Sequence, residues 1–178
     1  FHWDRYGESD ENSSCWIRVS QVHAGSGFGG VDIPRIGEEV IVEHLEGDPD
    51  RPIVTGRVYN GDNKPPNDLP AQKMVSGLQS RSTPGGGGNN AIMLNDTKGK
   101  EDLTIHAQKD ANTTVENDRN ATIVGCNDSI TVQAGTRSVT VKGNTSLTVE
   151  AGDRIVDVTG SYTLDTTAEI SMQAPTKI

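Results

Sequence analysis

The sequence predicts an all-β chain in which a small β-barrel is followed by an array of short strand repeats. Short runs of alternating apolar and polar residues occupy the first 60 positions, and four consecutive glycines follow at 85–88. Beyond them, pairs of apolar residues flanking one residue recur at steps of 8 or 9. Only 32% of the residues are apolar and 4% aromatic. Because the apolar residues are regularly spaced, a repeat structure that shares its core with neighbours fits better than disorder.

Residues 1–60 are predicted to form the barrel. Residues 14–22, with Trp16 near the start, alternate in the manner of a half-buried strand, and residues 39–43 and 52–58 are predicted as two more strands. Gly47-Asp48-Pro49-Asp50 is a turn sequence, since proline and glycine stand where ladder hydrogen bonds must stop. Strands of these lengths suit a small closed or nearly closed barrel.

Residues 61–90 are predicted to be a neck between the two parts. Asn60-Gly61-Asp62-Asn63 and Lys64-Pro65-Pro66-Asn67 are loop sequences. The four glycines that follow carry no side chain to pack, which favours a backbone that turns freely or passes close to another chain. They are not a phosphate-binding loop, because neither Gly-Lys-Ser/Thr nor a helical pattern follows.

Residues 91–178 are predicted to form the repeat array, or needle, whose first step is Leu103-Thr104-Ile105 and whose register beyond Gly160 the spacing does not decide. Alternate strand residues face opposite sides, so the two apolar members of each motif point inward together and the residue between them points outward. Glycines at 125, 135, 143, 152 and 160 follow the apolar pairs and can take the positive φ needed at a corner. The residues predicted to make the inward core are Ile130, Val132, Val139, Val141, Leu147, Val149, Val156 and Val158.

One step of the array is too short to close a core by itself. Eight residues span about 26 Å, which makes one face of a prism. Closure therefore needs either three successive steps of one chain per coil or one step from each of three chains. The spacing alone does not choose between them.

Charge and composition exclude several classes of function. The formal net charge is −9, and residues 1–66 hold six Lys/Arg against twelve Asp/Glu, which argues against binding to a phosphate backbone. No apolar run is long enough for a transmembrane helix. The chain opens at Phe1 without a methionine, so we expect a preceding portion to be missing. Cys15 and Cys126, one in each half, are expected to be free thiols of a protein made in a reducing compartment.

Several segments resemble one known family. Residues 1–5, 13–20, 33–40 and 47–60, the last reading GDPDRPIVTGRVYN, look like the valine-glycine repeat (VgrG) proteins of bacterial type VI secretion. Residues 94–99 and the Val/Gly steps are similar too. The resemblance implies a C-terminal fragment with an OB-fold followed by an intertwined trimeric β-helix, as in the cell-puncturing spikes of contractile phages. Members also have a larger N-terminal base domain, which this chain lacks.

The resemblance implies a mechanical function. Such a homotrimer sits on the secretion tube ring (the Hcp type), carries a pointed PAAR-type tip protein and effectors, and pierces the target-cell membrane. It is assembled in the bacterial cytoplasm and then translocated. No nucleic-acid partner, cofactor, metal or catalytic residue is expected. A phage baseplate spike is the alternative within the class, and a β-helical glycan-binding or glycan-cleaving protein is the alternative outside it.

Residues that could carry chemistry favour structural roles. The four histidines (His2, His23, His44 and His106) never stand at ligand spacing in the sequence. Two carboxylate pairs, Glu116 with Asp118 and Asp153 with Asp157, are the candidates for a glycosidase. Each acidic residue falls at a corner or at an outward strand position, where a charge is normally solvated. We therefore expect no catalysis.

Overall fold

A computed structural model describes residues 1, 3–8, 10, 12, 13 and 16–174. The chain divides into two compact units, Phe1–Asn117 and Asp118–Ile178. The regular structure of the described residues is β-strand apart from one short 3₁₀ turn, so the predicted all-β class is confirmed. No helix in this described part is long and apolar enough to cross a membrane.

The first sheet of the N-terminal unit contains three strands, β1 (Arg18–Val19), β2 (Glu39–His44) and β3 (Pro52–Val58). Their order is β1-β3-β2, with β1 parallel and β2 antiparallel to β3. β2 and β3 form where the alternating pattern predicts them. β1 is much shorter than predicted, and residues 14 and 15 of that prediction lie outside the described residues.

A tight connection joins β2 to β3. It begins with the 3₁₀ turn Leu45–Gly47, in which Glu46 and Gly47 both adopt positive φ. The turn is closed by the backbone N–H of Asp48, which donates to the carbonyl of Leu45 at 3.0 Å. A second turn covers residues 48–51 and is closed by the backbone N–H of Arg51, which donates to the carbonyl of Asp48 at 3.0 Å. The turn predicted at 47–50 therefore forms one residue later.

The second sheet is a meander of three antiparallel strands in the order β4-β5-β6. β4 is Val75–Gln79, β5 is Ala91–Asn95 and β6 is Asp102–His106. Residues 103–105, the first predicted step of the array, lie within β6. β4 was not predicted, because it lies in the segment assigned to the neck.

The glycine-rich stretch is the end of the hairpin that joins β4 to β5. Backbone hydrogen bonds continue beyond the strands, from Ser80 N–H to the Asn90 carbonyl and from Ser82 N–H to the Gly88 carbonyl, both 2.8 Å long. A β-carbon placed on Gly88 would lie 2.4 Å from Cδ of Gln108. The backbone thus passes close to the end of a side chain that follows β6, and that side chain would have to move if residue 88 carried a β-carbon.

A polar cluster holds the loop between β1 and β2 against β3. The Arg57 guanidinium on β3 pairs with the Asp32 carboxylate at 2.6 Å. The Gln21 side-chain carbonyl accepts the Asp32 backbone N–H at 2.9 Å, and Arg35 donates to the Arg81 carbonyl at 2.9 Å. The Arg35 contact ties this loop to the chain that leaves β4.

The single chain buries very little of itself. Among the described residues, only Val54 on β3 and Ala91 on β5 are buried hydrophobic side chains. Beyond β6, no further strand occurs in the described residues, and every described residue of the C-terminal unit is exposed. Apolar side chains of a folded protein are normally covered, so this chain is incomplete as a packing unit.

Candidate trimerisation surface

The C-terminal unit consists of extended segments separated by regular bends. Bends in the chain begin at residues 116, 125, 133, 142, 150, 159 and 167, so successive bends are 9, 8, 9, 8, 9 and 8 residues apart. The two bends that follow residue 158 continue the spacing through the segment whose register the sequence left uncertain. The backbone therefore keeps the periodicity of the repeat, although residues 118–174 form no strand ladder within the single chain.

Two kinds of corner alternate between residues 125 and 160. The three-residue corners at 133–135 and 150–152 end in Gly135 and Gly152, whose φ values are +98° and +92°. The two-residue corners at 125–126, 142–143 and 159–160 also contain glycine, but Gly125, Gly143 and Gly160 do not take positive φ. Only two of the five predicted corner glycines thus need the conformation that favours glycine.

The alternation corresponds to a longer repeat in the sequence. Residues 132–143 (VQAGTRSVTVKG) match residues 149–160 (VEAGDRIVDVTG) with an offset of 17. The offset is the sum of one 9-residue and one 8-residue step. Sequence reasoning treated all steps as equivalent and missed this pairing, although the Ala-Gly-x-Arg motif at both three-residue corners was visible.

The predicted inward residues are exposed in the single chain, though less so than Val124 and Ile155. The eight members are between 44% and 68% exposed. Val124 and Ile155, which fall outside the inward positions, are 96% and 82% exposed. The eight residues are Ile130, Val132, Val139, Val141, Leu147, Val149, Val156 and Val158.

A second apolar surface lies on one face of the β4-β5-β6 sheet. Leu78, Ile92 and Ile105 are cross-strand partners in one row, and Leu94 and Leu103 are partners in the next. Residues directly opposite one another in antiparallel strands share a face. All five side chains are exposed, from 43% for Leu94 to 79% for Leu78. We call these five residues the sheet-face patch.

The other face of the same sheet is better covered. Ala91 is buried, and Met93 and Asn95 are half-buried. Gly77 on β4, opposite Met93, has φ of +146°, and a β-carbon there would meet the backbone of Ile92 and Met93. On β5, therefore, the side chains of the sheet-face patch are the more exposed ones, and Gly77 lets the backbone of β4 approach that of β5.

The described residues among those weighed for metal binding form no group of three. His23 contacts the ring of Phe28 with centroids 5.2 Å apart, and His106 is an exposed residue of β6. Across the described ranges, no group of three His, Cys, Asp or Glu is placed to hold a metal ion. His2 and Cys15 lie outside those ranges, and Cys126 is an exposed free thiol.

A cavity of about 470 Å³ lies in the N-terminal unit, where Phe1 and Trp3 stack with ring centroids 4.6 Å apart. His44 also lines it, together with Pro49 and Pro52. The one acidic residue among its described lining residues is Asp4. The two candidate carboxylate pairs, Glu116 with Asp118 and Asp153 with Asp157, do not line this cavity.

Two exposed carboxyl groups have a pKa below its ordinary value, and local turns explain both. The backbone N–H of Asn12 donates to the Asp10 carboxylate at 2.9 Å, which lowers the pKa of Asp10. Backbone N–H groups of Glu101 itself and of Gly99 lower the pKa of Glu101, in the turn before β6. Each carboxylate stabilises its own turn.

The chain is similar to several curated spike proteins. It is 58% identical over 120 residues to the type VI secretion system spike protein VgrG1b of Pseudomonas aeruginosa, covering 66% of this chain and 16% of that protein. It is 46% identical over 138 residues to VgrG4b of the same organism, covering 78% of this chain and 17% of that protein. It is also 49% identical over 137 residues to the actin cross-linking toxin VgrG1 of Vibrio cholerae serotype O1, covering 77% of this chain and 12% of that protein.

Two family models match, one on each part of the chain. Residues 76–177, more than half of the chain, match the bacteriophage T4 gp5 C-terminal trimerisation domain. Residues 5–59 match the type VI secretion system/phage-baseplate injector OB domain. The chain belongs to the VgrG spike family. Within this VgrG chain the OB match contains β1, β2 and β3, whereas the trimerisation match contains β5, β6, the sheet-face patch and all eight inward residues.

The chain spans less than a fifth of the length of each of these VgrG relatives. Only one of the three is named as a toxin.

Proposed function

We propose that this chain is the trimer-forming shaft and OB region of a spike that caps a type VI secretion tube and punctures target membranes. The observation that carries the proposal is the regular series of bends between which apolar side chains remain exposed. A chain that bends every 8 or 9 residues and leaves its apolar residues exposed requires partner strands to cover them. The match of residues 76–177 to a trimerisation domain supports two further copies of the same chain as those partners.

The proposed assembly is an intertwined β-helix. Each segment between two bends supplies one face of a three-sided prism, and segments of the three chains alternate along the axis. Every strand then gains ladder hydrogen bonds on both edges, which removes the unpaired edges that a single chain presents. The eight inward residues meet around the axis, and the outward threonines and charges remain in water.

The function of this assembly is mechanical. A closed prism of hydrogen-bonded strands transmits an axial push, whereas a single extended chain bends under it. The OB region would sit towards the tube ring, and a PAAR-type tip with effectors would cap the far end. Assembly in the bacterial cytoplasm precedes translocation towards the target cell. The proposed role involves no catalysis, cofactor or nucleic acid.

Light scattering tests the assembly. The chain has a mass of 19.0 kDa, and the proposal requires a particle of three times that mass. A stable folded monomer across micromolar concentrations would contradict the trimer and, with it, the spike.

A chimera tests the role in secretion. Residues 76–174 would replace the matched segment of VgrG1b in P. aeruginosa, and release of the tube protein into the medium would be measured. We expect release with the native segment and its loss when the same chimera carries Val141→Asp. A chimera that is trimeric yet inactive in secretion would favour a phage baseplate spike, which the OB model also includes.

A further inference from the structure

We infer that the shaft contains a binding site for a tetrahedral oxyanion such as inorganic phosphate, built by the Arg154 side chains of three copies of the chain. The inference rests on the proposed trimer and goes beyond it, because it assigns a ligand to one level of the shaft. The site follows the three-residue corner at 150–152 and precedes the inward pair Val156 and Val158.

Arg154 has the same strand parity as the inward residues of its segment. It stands two residues before Val156 and four before Val158, and no bend separates the three in the structure. Alternate residues of an extended segment share a side. Arg154 therefore lies on the side of its segment that is predicted to face inward, and the proposed trimer brings three guanidinium groups to one level of the shaft.

The position two residues before each pair recurs along the array and forms a column in the trimer. In an intertwined trimer, consecutive steps come from different copies and are neighbouring strands about 4.8 Å apart. Residues at the same position in consecutive steps then stand directly opposite one another and interact. We call this set of residues the corner column. Its members, in chain order, are Arg119, Asp128, Arg137, Thr145, Arg154 and Tyr162.

The first part of the corner column contains its own counterions. Asp128 stands between Arg119 and Arg137, so the carboxylate of one copy faces guanidinium groups of the neighbouring copies. Opposite charges at directly facing strand positions stabilise the pairing of the strands. The charges at these three levels are therefore compensated by the chain itself.

Arg154 has no carboxylate beside it in the corner column. Its neighbours there are Thr145 and Tyr162, which are uncharged. The ion pairs found among the described residues of the single chain do not include Arg154 either. Unpaired charge is costly where water is scarce, and three like charges at one level also repel one another. This level of the shaft therefore requires an anion from solution.

The side chains at this level favour a tetrahedral oxyanion. Each guanidinium group presents a planar fork of N–H donors, which matches the oxygen atoms of phosphate. Three forks related by the threefold axis can all donate to one anion on that axis. The hydroxyl groups of Thr145 and Tyr162 provide further donors at the two adjacent levels. Chloride offers a single acceptor atom, so phosphate should bind more tightly.

The thermal stability of the full chain tests the site. A ligand that binds the folded trimer and not the unfolded chain raises the melting temperature. Millimolar phosphate should raise it by at least about 3 °C relative to sodium chloride of the same ionic strength. Equal ionic strength makes general screening the same in both buffers. Titration calorimetry with inorganic phosphate should give one bound phosphate per three chains.

Two arginine variants show whether the response belongs to this level. Arg154→Gln should abolish the phosphate response. Because it removes three like charges, it should melt no lower than the wild type in sodium chloride. Arg137→Gln is the matched control, since Arg137 follows the same kind of corner but has Asp128 beside it in the corner column. It should retain the phosphate response.

Thr145→Asp supplies the missing counterion from the chain. It gives Arg154 the carboxylate neighbour that Asp128 gives Arg137. In sodium chloride this variant should melt at least as high as the wild type does in phosphate, and its response to phosphate should be lost. Ser146→Asp, one residue away and predicted to face outward, should retain the response.

The outcomes separate this site from the proposed function. A wild-type monomer in light scattering would overturn the trimer and the site together. A wild-type trimer that melts at the same temperature in phosphate and in sodium chloride would overturn the site alone. A phosphate response that Arg154→Gln retains would do the same, because the anion would then bind elsewhere.

Discussion

Gly77 on β4 lies so close to Met93 on β5 that a β-carbon on Gly77 would be 2.8 Å from the Met93 Cα. Its φ of +146° is also one that residues with a side chain rarely adopt. Gly77→Ala therefore must separate β4 from β5 or distort both strands. We expect a loss of at least about 2 kcal/mol of unfolding free energy, measured by chemical denaturation.

Gly87→Ala is the control for this change. Gly87 lies in the loop of the same hairpin and does not take positive φ, and a β-carbon on it would meet none of the described residues within 4 Å. The variant should unfold within about 0.5 kcal/mol of the wild type. Equal effects of the two alanines would mean that the strand contact at Gly77 does not limit stability.

Val141→Asp tests the inward positions of the array. In the proposed trimer it places three carboxylates around the axis, and burial of unpaired charge costs several kcal/mol per group. We expect the trimer to dissociate or its melting temperature to fall sharply, as measured by light scattering and calorimetry.

Thr140→Asp should have much less effect, because residue 140 is predicted to face outward. The 17-residue repeat gives a direct reason: Asp157 occupies the equivalent position between Val156 and Val158. The chain thus already carries a carboxylate at one such site. If the two substitutions lowered trimer mass and melting temperature equally, the inward and outward assignment would be wrong.

The sequence predicted those elements whose stabilising contacts are local or follow a simple period. β2 and β3 were predicted because their apolar and polar residues alternate between flanking glycines and prolines. β4 was missed because Gly77 interrupts its pattern, and the reason for Gly77, the close approach of Met93, depends on the paired strand. Only part of the sheet-face patch could be predicted from the sequence, since Leu103 and Ile105 fit the repeat but Leu78 does not. The array forms no ladder within the described residues of one chain, and in the proposed trimer its partner strands belong to other copies.

Gly135→Ala tests the two kinds of corner. Gly135 adopts φ of +98° and has open space around it, so the cost of alanine arises from the backbone conformation alone. We expect the unfolding free energy to fall by about 1 kcal/mol per chain, and so by roughly 3 kcal/mol for a trimer. Denaturant titration of the assembled protein measures it.

Gly143→Ala is the matched change at the other kind of corner. It also has open space, but its φ is not positive. Alanine there restricts the unfolded chain and should leave the trimer equally stable or stabilise it by up to about 1 kcal/mol. A similar loss of unfolding free energy on replacing either glycine by alanine would show that the two corners are equivalent in the assembly.

The length of the shaft distinguishes the two ways of closing the core. Counted from Leu103, the array contains about nine strand steps, and in an intertwined trimer each step advances the axis by one strand spacing of about 4.8 Å. The shaft should then be roughly 40 Å long, whereas a solenoid of one chain with three steps per coil would be only about 15 Å long. Electron microscopy of the full chain should show a narrow rod of the longer dimension projecting from a wider end. A short, thick projection would mean that each chain closes its own core, and the exposed apolar pairs would then need a different partner.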